Sequence, residues 1–327
     1  MTFSPEQHYR QYRSQIERYL QSFISESKPH TLYGPSEYVL KGGGKRIRPV
    51  LVQLACEAVG GEAREALHAA AGVEILHNFT LVHDDIMDHS PTRRGRPTVH
   101  TKWDHNVAIL TGDALLALAY RALLKTRSPR IQEISRLFTE GVVIVCEGQA
   151  FDKEFEERRR VHVNDYLMMI ERKTARMLAV AAEIGGLIGT SDTGRLDALR
   201  SFGTSIGRAF QVQDDLLDIV ADEEELGKRT GSDLVEGKKT FLLLEALRLA
   251  KGKDKAILQK VVNNGGVPRS RIAEYRRIYE ATGAIASAER HVAQDLATAR
   301  ADLERLPASN ARTTLLWLTD MLARRTF

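Results

Sequence analysis

The chain consists of long segments in which apolar residues recur at helical spacing, separated by short breaks that contain glycine or proline. The first segment runs from Ser4 to about Ser27, and Ser4-Pro5 has the composition of a helix start. Lys28-Pro29 ends it. The same spacing predicts helices over residues 50–59, 62–88, 104–125, 129–152, 165–189 and 195–220, with three or four more from residue 240 onward. No stretch alternates as a strand does, so the pattern predicts an all-α protein.

The length and composition fit one large helical domain. The 327 residues are 43% hydrophobic, enough to bury a sizeable core. No linker interrupts the pattern, and we therefore expect a single domain over residues 1–327. The segment from Asp104 to about Lys125 is apolar nearly all round, which predicts a central position.

Two aspartate-rich sequences lie within these helices. They are Asp84-Asp85-Ile86-Met87-Asp88 and Asp214-Asp215-Leu216-Leu217-Asp218. On a helix the first and last aspartates of each run lie one turn apart on the same face. A lone cluster of this kind is usually a solvated helix end, but repeated acids in apolar helices favour neutralisation by a cation. Carboxylate oxygens suit Mg²⁺, which proteins hold through one or two carboxylates together with substrate phosphates.

Basic residues and glycines accompany the first acidic cluster. The sequence from Lys41 to Pro49 contains three glycines and four cations before a helix, which fits an anion site or an ordinary surface loop. The loop Ser90–Pro97 carries three arginines. These either form surface ion pairs or hold the anion that the metal also holds, and we favour the second. His77 lies two helical turns before Asp84 on roughly the same face.

The overall charge and the cysteines exclude several classes of protein. A formal net charge of +4, with basic residues interleaved among acidic segments, disfavours a nucleic-acid binder. Cys56 and Cys146 lack metal or redox spacing, so we expect buried thiols in a reduced, cytoplasmic protein. No apolar run reaches the roughly 18 residues of a transmembrane segment, and the start of the chain lacks a signal-peptide core.

Together these sequences resemble those of the trans-isoprenyl diphosphate synthases, the head-to-tail prenyltransferases, and most closely the short-chain geranylgeranyl and farnesyl diphosphate synthases. The resemblance covers nearly the whole chain, with motifs in the family's order from about Leu32 to Phe241. The motifs are Gly43-Gly44-Lys45-Arg46-Ile47-Arg48-Pro49, Asp84–Asp88, Arg93-Arg94-Gly95, Gly112-Asp113, Gly148-Gln149 with Asp152, Lys173-Thr174, Gln211–Asp218, Gly227-Lys228 and Gly237-Lys238-Lys239-Thr240. The family implies antiparallel helices around a central cavity, the isoprenoid synthase fold, usually in a homodimer.

The resemblance also implies a role for each matched residue. The diphosphate of isopentenyl diphosphate is expected at Lys45, Arg48, His77 and Arg94. Mg²⁺, with three ions per active site, is expected at Asp84, Asp88 and Asp214, supported by Asp85, Asp152, Asp215 and Asp218. The diphosphate of the allylic substrate (dimethylallyl, geranyl or farnesyl) is expected at Arg93, Lys173, Lys228 and Lys238. Thr174 and Gln211 are expected near the allylic carbocation that ionisation produces.

The residues about one turn before Asp84 are expected to limit product length. Phe79 lies five residues before Asp84 and Thr80 four before. In the family, a single aromatic residue five positions before the cluster resembles a geranylgeranyl (C20) synthase. Aromatic residues at both positions resemble a farnesyl (C15) synthase, and small residues at both positions accompany longer products. We therefore expect geranylgeranyl diphosphate. In the alternative interpretation Phe79 is ordinary core and helix 104–125 limits the length.

Other classes of protein remain as alternatives. A terpene cyclase or squalene-type synthase shares the helices and acidic clusters but has no need of Lys45, Arg48 and His77. A regulatory subunit of a heteromeric synthase is the non-enzyme alternative, although such a subunit is expected to lose carboxylates and both clusters here are complete. Metal-dependent turnover by the protein alone separates these alternatives.

Overall fold

The computed structural model describes residues 3–24, 28–221 and 230–324. This part of the chain is almost entirely helical, as predicted. The helices are α1 (Pro5–Ile24), α2 (His30–Leu40), α3 (Ile47–Ala58), α4 (Leu67–Met87), α5 (Val99–Lys102), α6 (His105–Leu123), α7 (Ile131–Glu157), α8 (Val163–Ile170), α9 (Arg176–Gly189), α10 (Thr193–Val220), α11 (Ser232–Val235), α12 (Phe241–Leu249), α13 (Gly252–Asn264), α14 (Ile272–Thr282), α15 (Ala284–Glu304) and α16 (Asn310–Arg324). A 3₁₀ turn, Arg269–Arg271, precedes α14.

Several elements differ from the predictions. Helix α2 was not predicted, and five helices rather than three or four follow residue 240. A π-helical turn, Glu171–Ala175, interrupts the helix predicted over 165–189. The arginine loop forms a small antiparallel hairpin of two strands, β1 (Thr92–Arg93) and β2 (Arg96–Pro97), with Thr92 opposite Pro97. Alternation cannot reveal strands of two residues, because the pattern needs about four residues to appear.

Contacts divide the chain into two compact units, each assembled from separate segments. The first contains residues 1–139, 180–200 and 303–317, and the second contains residues 140–179, 201–302 and 318–327. The single domain expected from the sequence stays a prediction.

In the first unit, α4 packs most extensively against α6. Small residues allow this close approach: a Cβ on Gly72 would lie 3.0 Å from the carbonyl oxygen of Ala119. Ala69, Ala70 and Ala71 on α4 are fully buried. Because α4 carries the first acidic cluster at its end, this packing fixes the position of the cluster.

The core of the second unit is built from α8, α10 and α12 to α15. Its largest fully buried side chains include Tyr275 and Tyr279, which pack with Leu242, Leu258 and Val212. Val212 is on α10, two residues before the second acidic cluster. Burial of such residues therefore anchors the helix that presents Asp214.

Two predictions about burial are wrong. Helix α6 was expected to be central, yet Ile109 and Leu110 are 48% and 52% exposed. Cys56 is buried as expected, whereas Cys146 is exposed. Helix α6 is long and apolar enough to cross a membrane, although no such run was expected from the sequence, and 44% of its apolar 18-residue window is buried inside the protein. Composition reports how apolar a helix is and cannot show what covers it.

Candidate active site

A buried ion pair anchors the glycine-rich turn before α3. Arg46 has a left-handed backbone, with φ of 57°. Its Nη1 lies 2.5 Å from Oε1 of Glu74 on α4, and both side chains are 3% exposed. Its Nη2 donates to the carbonyl oxygen of Leu40 at 2.7 Å. Asn78 Nδ2 donates to Glu74 Oε1 at 3.1 Å. The turn is thereby tied to the helix that carries the first acidic cluster.

Cationic residues converge beside this anchor. Arg48 Nη1 donates to His77 Nε2 at 3.2 Å. Burial, together with Arg48 and Arg94, holds the pKa of His77 well below its ordinary value, so the imidazole is neutral. Because Nε2 accepts the bond, Nδ1 carries the proton. Burial lowers the pKa of Arg48 to about 10, which leaves it cationic at neutral pH. Arg94 Nη1 donates to the carbonyl oxygen of Gly43.

One donor in this cluster suits an incoming anion. Nε of Arg48 is buried and has no hydrogen-bond partner within the described part of the chain. A buried unpaired donor is costly, and a phosphate oxygen satisfies it well. Lys45, also predicted to bind this diphosphate, is exposed on the same turn.

The first acidic cluster lies at the end of α4, with Asp84 and Asp85 in the last turn of the helix and Asp88 directly after it. The backbone N–H of Asp88 donates to the carbonyl oxygen of Asp84 at 2.8 Å, which places these two residues one turn apart as predicted. Asp84 is half-buried and Asp88 exposed. Asp85 is 5% exposed and accepts a bond of 2.7 Å from Arg93 Nε. Burial raises the pKa of Asp85, and the charge of Arg93 opposes this rise.

The residues predicted to limit product length lie on the preceding turn. Phe79 and Thr80 are both half-buried. The ring of Phe79 meets the ring of His83 in an edge arrangement, with centroids 4.8 Å apart. Thr80 Oγ1 donates to the carbonyl oxygen of His77 at 2.8 Å, so its hydroxyl is satisfied within the helix.

In the second unit, the π-helical turn presents Lys173 and Thr174. Gly148 on α7 makes this possible, because a Cβ there would lie 2.3 Å from the backbone nitrogen of Lys173. Lys173 Nζ is 2.6 Å from Oδ2 of Asp152. Thr174 Oγ1 donates to Gln211 Oε1 at 3.1 Å. Two pairs of residues singled out from the sequence, Lys173 with Asp152 and Thr174 with Gln211, are thus in contact.

The aspartates of the second cluster have different surroundings. Asp215 is 4% exposed and accepts bonds from the hydroxyl of Tyr166 and the backbone N–H of Phe241. Burial and the charge of Asp233 raise the pKa of Asp215 to about 8. Asp218 is also buried and accepts the backbone N–H of Asp233 at 3.1 Å. Asp214 is only half-buried, so it is the most open carboxylate of the three.

Two predicted lysines follow the second cluster. Lys238 is exposed, with Nζ 2.9 Å from Glu236 and 3.6 Å from Asp233. Lys228 lies outside the described residues.

The donor set fits Mg²⁺ as an ion shared with a substrate. In the described ranges, no three acidic, histidine or cysteine side chains are grouped closely enough to form a metal site from protein alone. Asp84, Asp88 and Asp214 nevertheless offer carboxylates that are half-buried or exposed. Mg²⁺ takes few protein ligands and completes its octahedron with water and phosphate, so the open carboxylates of each unit suit it.

Sequence reasoning missed several residues of this region. Glu74, Asn78 and Tyr166 each hold a predicted site residue or its turn in place. Glu74 could have been recognised in the sequence as a charge that needs a partner, because it is an acidic residue within an apolar stretch of α4. Its partner Arg46 is 28 residues away and could not be identified from spacing.

An all-α chain with two aspartate-rich helix faces, each with basic side chains in the same unit, has the features of metal-dependent enzymes that bind diphosphates. Residues 29–281 match the family model of polyprenyl synthetases. The chain is 39% identical over 317 residues to the short chain isoprenyl diphosphate synthase of Methanothermobacter thermautotrophicus, covering 97% of each chain. It is 43% identical over 249 residues to the geranylgeranyl diphosphate synthase of Sulfolobus acidocaldarius, covering 75% of each.

A solved structure has the same fold. The crystal structure of geranylgeranyl pyrophosphate synthetase from Pyrococcus horikoshii superposes with a TM-score of 0.93 at 36% identity, covering 98% of this chain and 99% of that one. The chain therefore belongs to the polyprenyl synthetase family, and it is a prenyltransferase with the all-α fold of that family. Prenyl diphosphate synthases are Mg²⁺-dependent enzymes.

Proposed function

We propose that the protein is a short-chain prenyltransferase that condenses isopentenyl diphosphate with allylic diphosphates and releases geranylgeranyl diphosphate. The observation that carries the proposal is the pairing of acids with cations: Asp85 with Arg93 in one unit and Asp152 with Lys173 in the other. Diphosphates bound with Mg²⁺ need both kinds of side chain. The names of two relatives, both geranylgeranyl diphosphate synthases, support the product.

Isopentenyl diphosphate is assigned to the cationic cluster of the first unit. Arg48 offers its unpaired buried Nε, and Lys45 and Arg94 add positive charge from the adjoining turns. His77 is neutral, so it contributes a hydrogen bond rather than a charge. This substrate does not ionise in the reaction, and its diphosphate needs firm binding rather than activation.

The allylic substrate is assigned to the aspartates and the remaining cations. Asp84, Asp88 and Asp214 are the proposed ligands of three Mg²⁺ ions, supported by Asp85, Asp152, Asp215 and Asp218. When bound, Mg²⁺ stabilises the negative charge that grows on the departing pyrophosphate. The same charge is balanced by Arg93, Lys173, Lys228 and Lys238.

The carbocation left by ionisation needs oxygen dipoles and a dry surrounding. The bond between Thr174 and Gln211 fixes the orientation of both side chains, which stabilise the cation without attacking it. The double bond of isopentenyl diphosphate forms the new carbon–carbon bond, and the proton then lost goes to pyrophosphate. Exclusion of water matters, because water would quench the cation.

Product length is assigned to Phe79, with Thr80 too small to stop the chain earlier. An aromatic ring one turn before the acidic cluster limits the space available to the growing chain. The direct test is incubation of the purified protein with farnesyl and isopentenyl diphosphates and Mg²⁺. We expect a C20 product that disappears with EDTA. The absence of any product longer than C15 would overturn the assignment.

Variants of the two clusters test the chemistry. Asp84→Ala and Asp214→Ala should each lower turnover by roughly 10²–10³, the usual effect of removing one group that stabilises charge in a transition state. The control is Glu304→Gln, which removes an exposed carboxylate on α15. If the wild-type protein alone shows no turnover, the regulatory-subunit alternative is favoured.

We also propose a homodimer in the cytoplasm. Exposed Ile109 and Leu110 on α6 form an apolar surface, which pairing of two copies would cover. Light scattering should give twice the mass of the chain for the wild type, and the monomer mass for Leu110→Glu. A monomeric wild type would overturn this proposal.

A further inference from the structure

The side chain of His83 fills a gap between α4 and α6 that only glycine leaves open. A Cβ built on Gly112 of α6 would lie 2.0 Å from Nε2 of His83 and 2.3 Å from its Cδ2. The imidazole therefore lies directly against the backbone of α6, where no larger side chain fits at position 112. The Nε2 atom is also 3.4 Å from the carbonyl oxygen of Ile109.

The same imidazole contacts the residue proposed to limit product length. Phe79 and His83 are four residues apart on α4 and so lie on one face. Their rings meet at 64° with centroids 4.8 Å apart, the edge arrangement that aromatic pairs favour. Because α6 blocks His83 on one side, the imidazole cannot move that way if the Phe79 ring presses against it.

We propose that His83 is a positioning residue for product length: seated in the gap at Gly112, it fixes the rotamer of Phe79 and so the depth at which the growing chain stops. The inference rests on the proposed role of Phe79. Loss of an edge contact of this kind changes the population of an alternative ring rotamer by about 2- to 10-fold. The fraction of products longer than C20 should change by a similar factor.

The readout must be product length rather than rate. His83 directly precedes Asp84, so its replacement also affects turnover through the proposed metal ligands. The distribution of chain lengths from farnesyl and isopentenyl diphosphates and Mg²⁺ is compared at equal consumption of isopentenyl diphosphate, so that a variant with less active enzyme is not mistaken for one with a different product. A merely structural role of His83 would lower the rate and leave this distribution unchanged.

The experiment compares Phe79→Ala, His83→Ala, the double variant and Gly112→Ala with the wild type. We expect His83→Ala to raise the fraction of products longer than C20 about 2- to 10-fold, and the double variant to match Phe79→Ala. Gly112→Ala acts from α6 by displacing the imidazole, and it too should change the distribution. His68→Ala is the matched control, because it removes a histidine of α4 that meets Tyr19 instead.

The outcomes separate this inference from the proposal on which it rests. If Phe79→Ala lengthens the products while His83→Ala and Gly112→Ala do not, the inference is wrong and the role of Phe79 stands. If Phe79→Ala leaves the distribution unchanged, both are wrong. Additive lengthening in the double variant also overturns the inference, since His83 would then act without Phe79. If His83→Ala is inactive, the product distribution of Gly112→Ala decides whether the inference holds: an unchanged distribution overturns it.

Discussion

Replacement of Glu74 tests whether the buried ion pair with Arg46 positions the glycine-rich turn. The two side chains are each 3% exposed and 2.5 Å apart, so Glu74→Gln leaves the guanidinium of Arg46 buried without a counter-charge. Removing one partner of a buried pair typically costs about 3–5 kcal/mol. Asn78 keeps its bond to the carbonyl oxygen of Glu74 but loses the charged oxygen of the carboxylate.

The stability assay is urea unfolding without substrate or metal. We expect the free energy of unfolding to fall by about 3–5 kcal/mol in Glu74→Gln. Glu17→Ala is the control, because it breaks a surface pair with Arg13 whose side chains are 36% and 42% exposed. Surface pairs are worth about 0–1 kcal/mol, so the control should change little.

The kinetic assay separates stability from positioning. Lys45 and Arg48 flank Arg46, so a loosened turn should raise KM for isopentenyl diphosphate more than KM for the allylic substrate. In the double variant Arg46→Met with Glu74→Leu, two apolar residues replace the pair, which is often neutral for stability. This variant should be stable and still have a raised KM.

Two results would refute the reasoning. A change below about 1 kcal/mol in Glu74→Gln would mean that the pair is compensated elsewhere. A normal KM for isopentenyl diphosphate in the stable double variant would mean that the pair supports the fold and does not position the turn.

Two further predictions concern other parts of the site. Because folding lowers the pKa of His77, its contribution to stability is complete above about pH 6.5 and is lost as the pH falls below that value. His77→Gln should therefore weaken the fall in unfolding free energy between about pH 7 and pH 5, and equal slopes would contradict this. Gly148→Ala should lower kcat about a hundredfold by displacing Lys173, while Gly34→Ala, with no atom within 4 Å of its new Cβ, should not. Equal kcat values in these two variants would contradict the assigned role of the π-helical turn.

The spacing of the acidic residues could be predicted from the sequence because it is local. Asp84 and Asp88 are one helical turn apart wherever their helix lies, and the spacing alone fixes this. Arg48 and His77 were expected at one diphosphate only because of the family resemblance, and the structure shows that their side chains are in contact. Lys173 and Asp152 were assigned to different ligands by the resemblance, and the ion pair between them was not predicted.

Other features depend on partners that are distant in the chain. The backbone of the π-helical turn lies directly against Gly148, which is more than twenty residues earlier in the chain. The exposure of α6 follows from what packs against it, which its apolar composition cannot show. Cys146 is exposed for the same reason, although it lies in an apolar segment.

The two acidic clusters illustrate this division between local and distant causes. Their identical spacing, readable in the sequence, predicts two helix faces with three carboxylates each. Only the tertiary structure distinguishes the carboxylates: Asp85 is buried against Arg93, and Asp215 against Tyr166 from another helix. Asp84 and Asp214 remain more open. The physical reason is that spacing sets the direction of a side chain from its own helix, whereas burial and charge depend on the neighbours that folding brings to it.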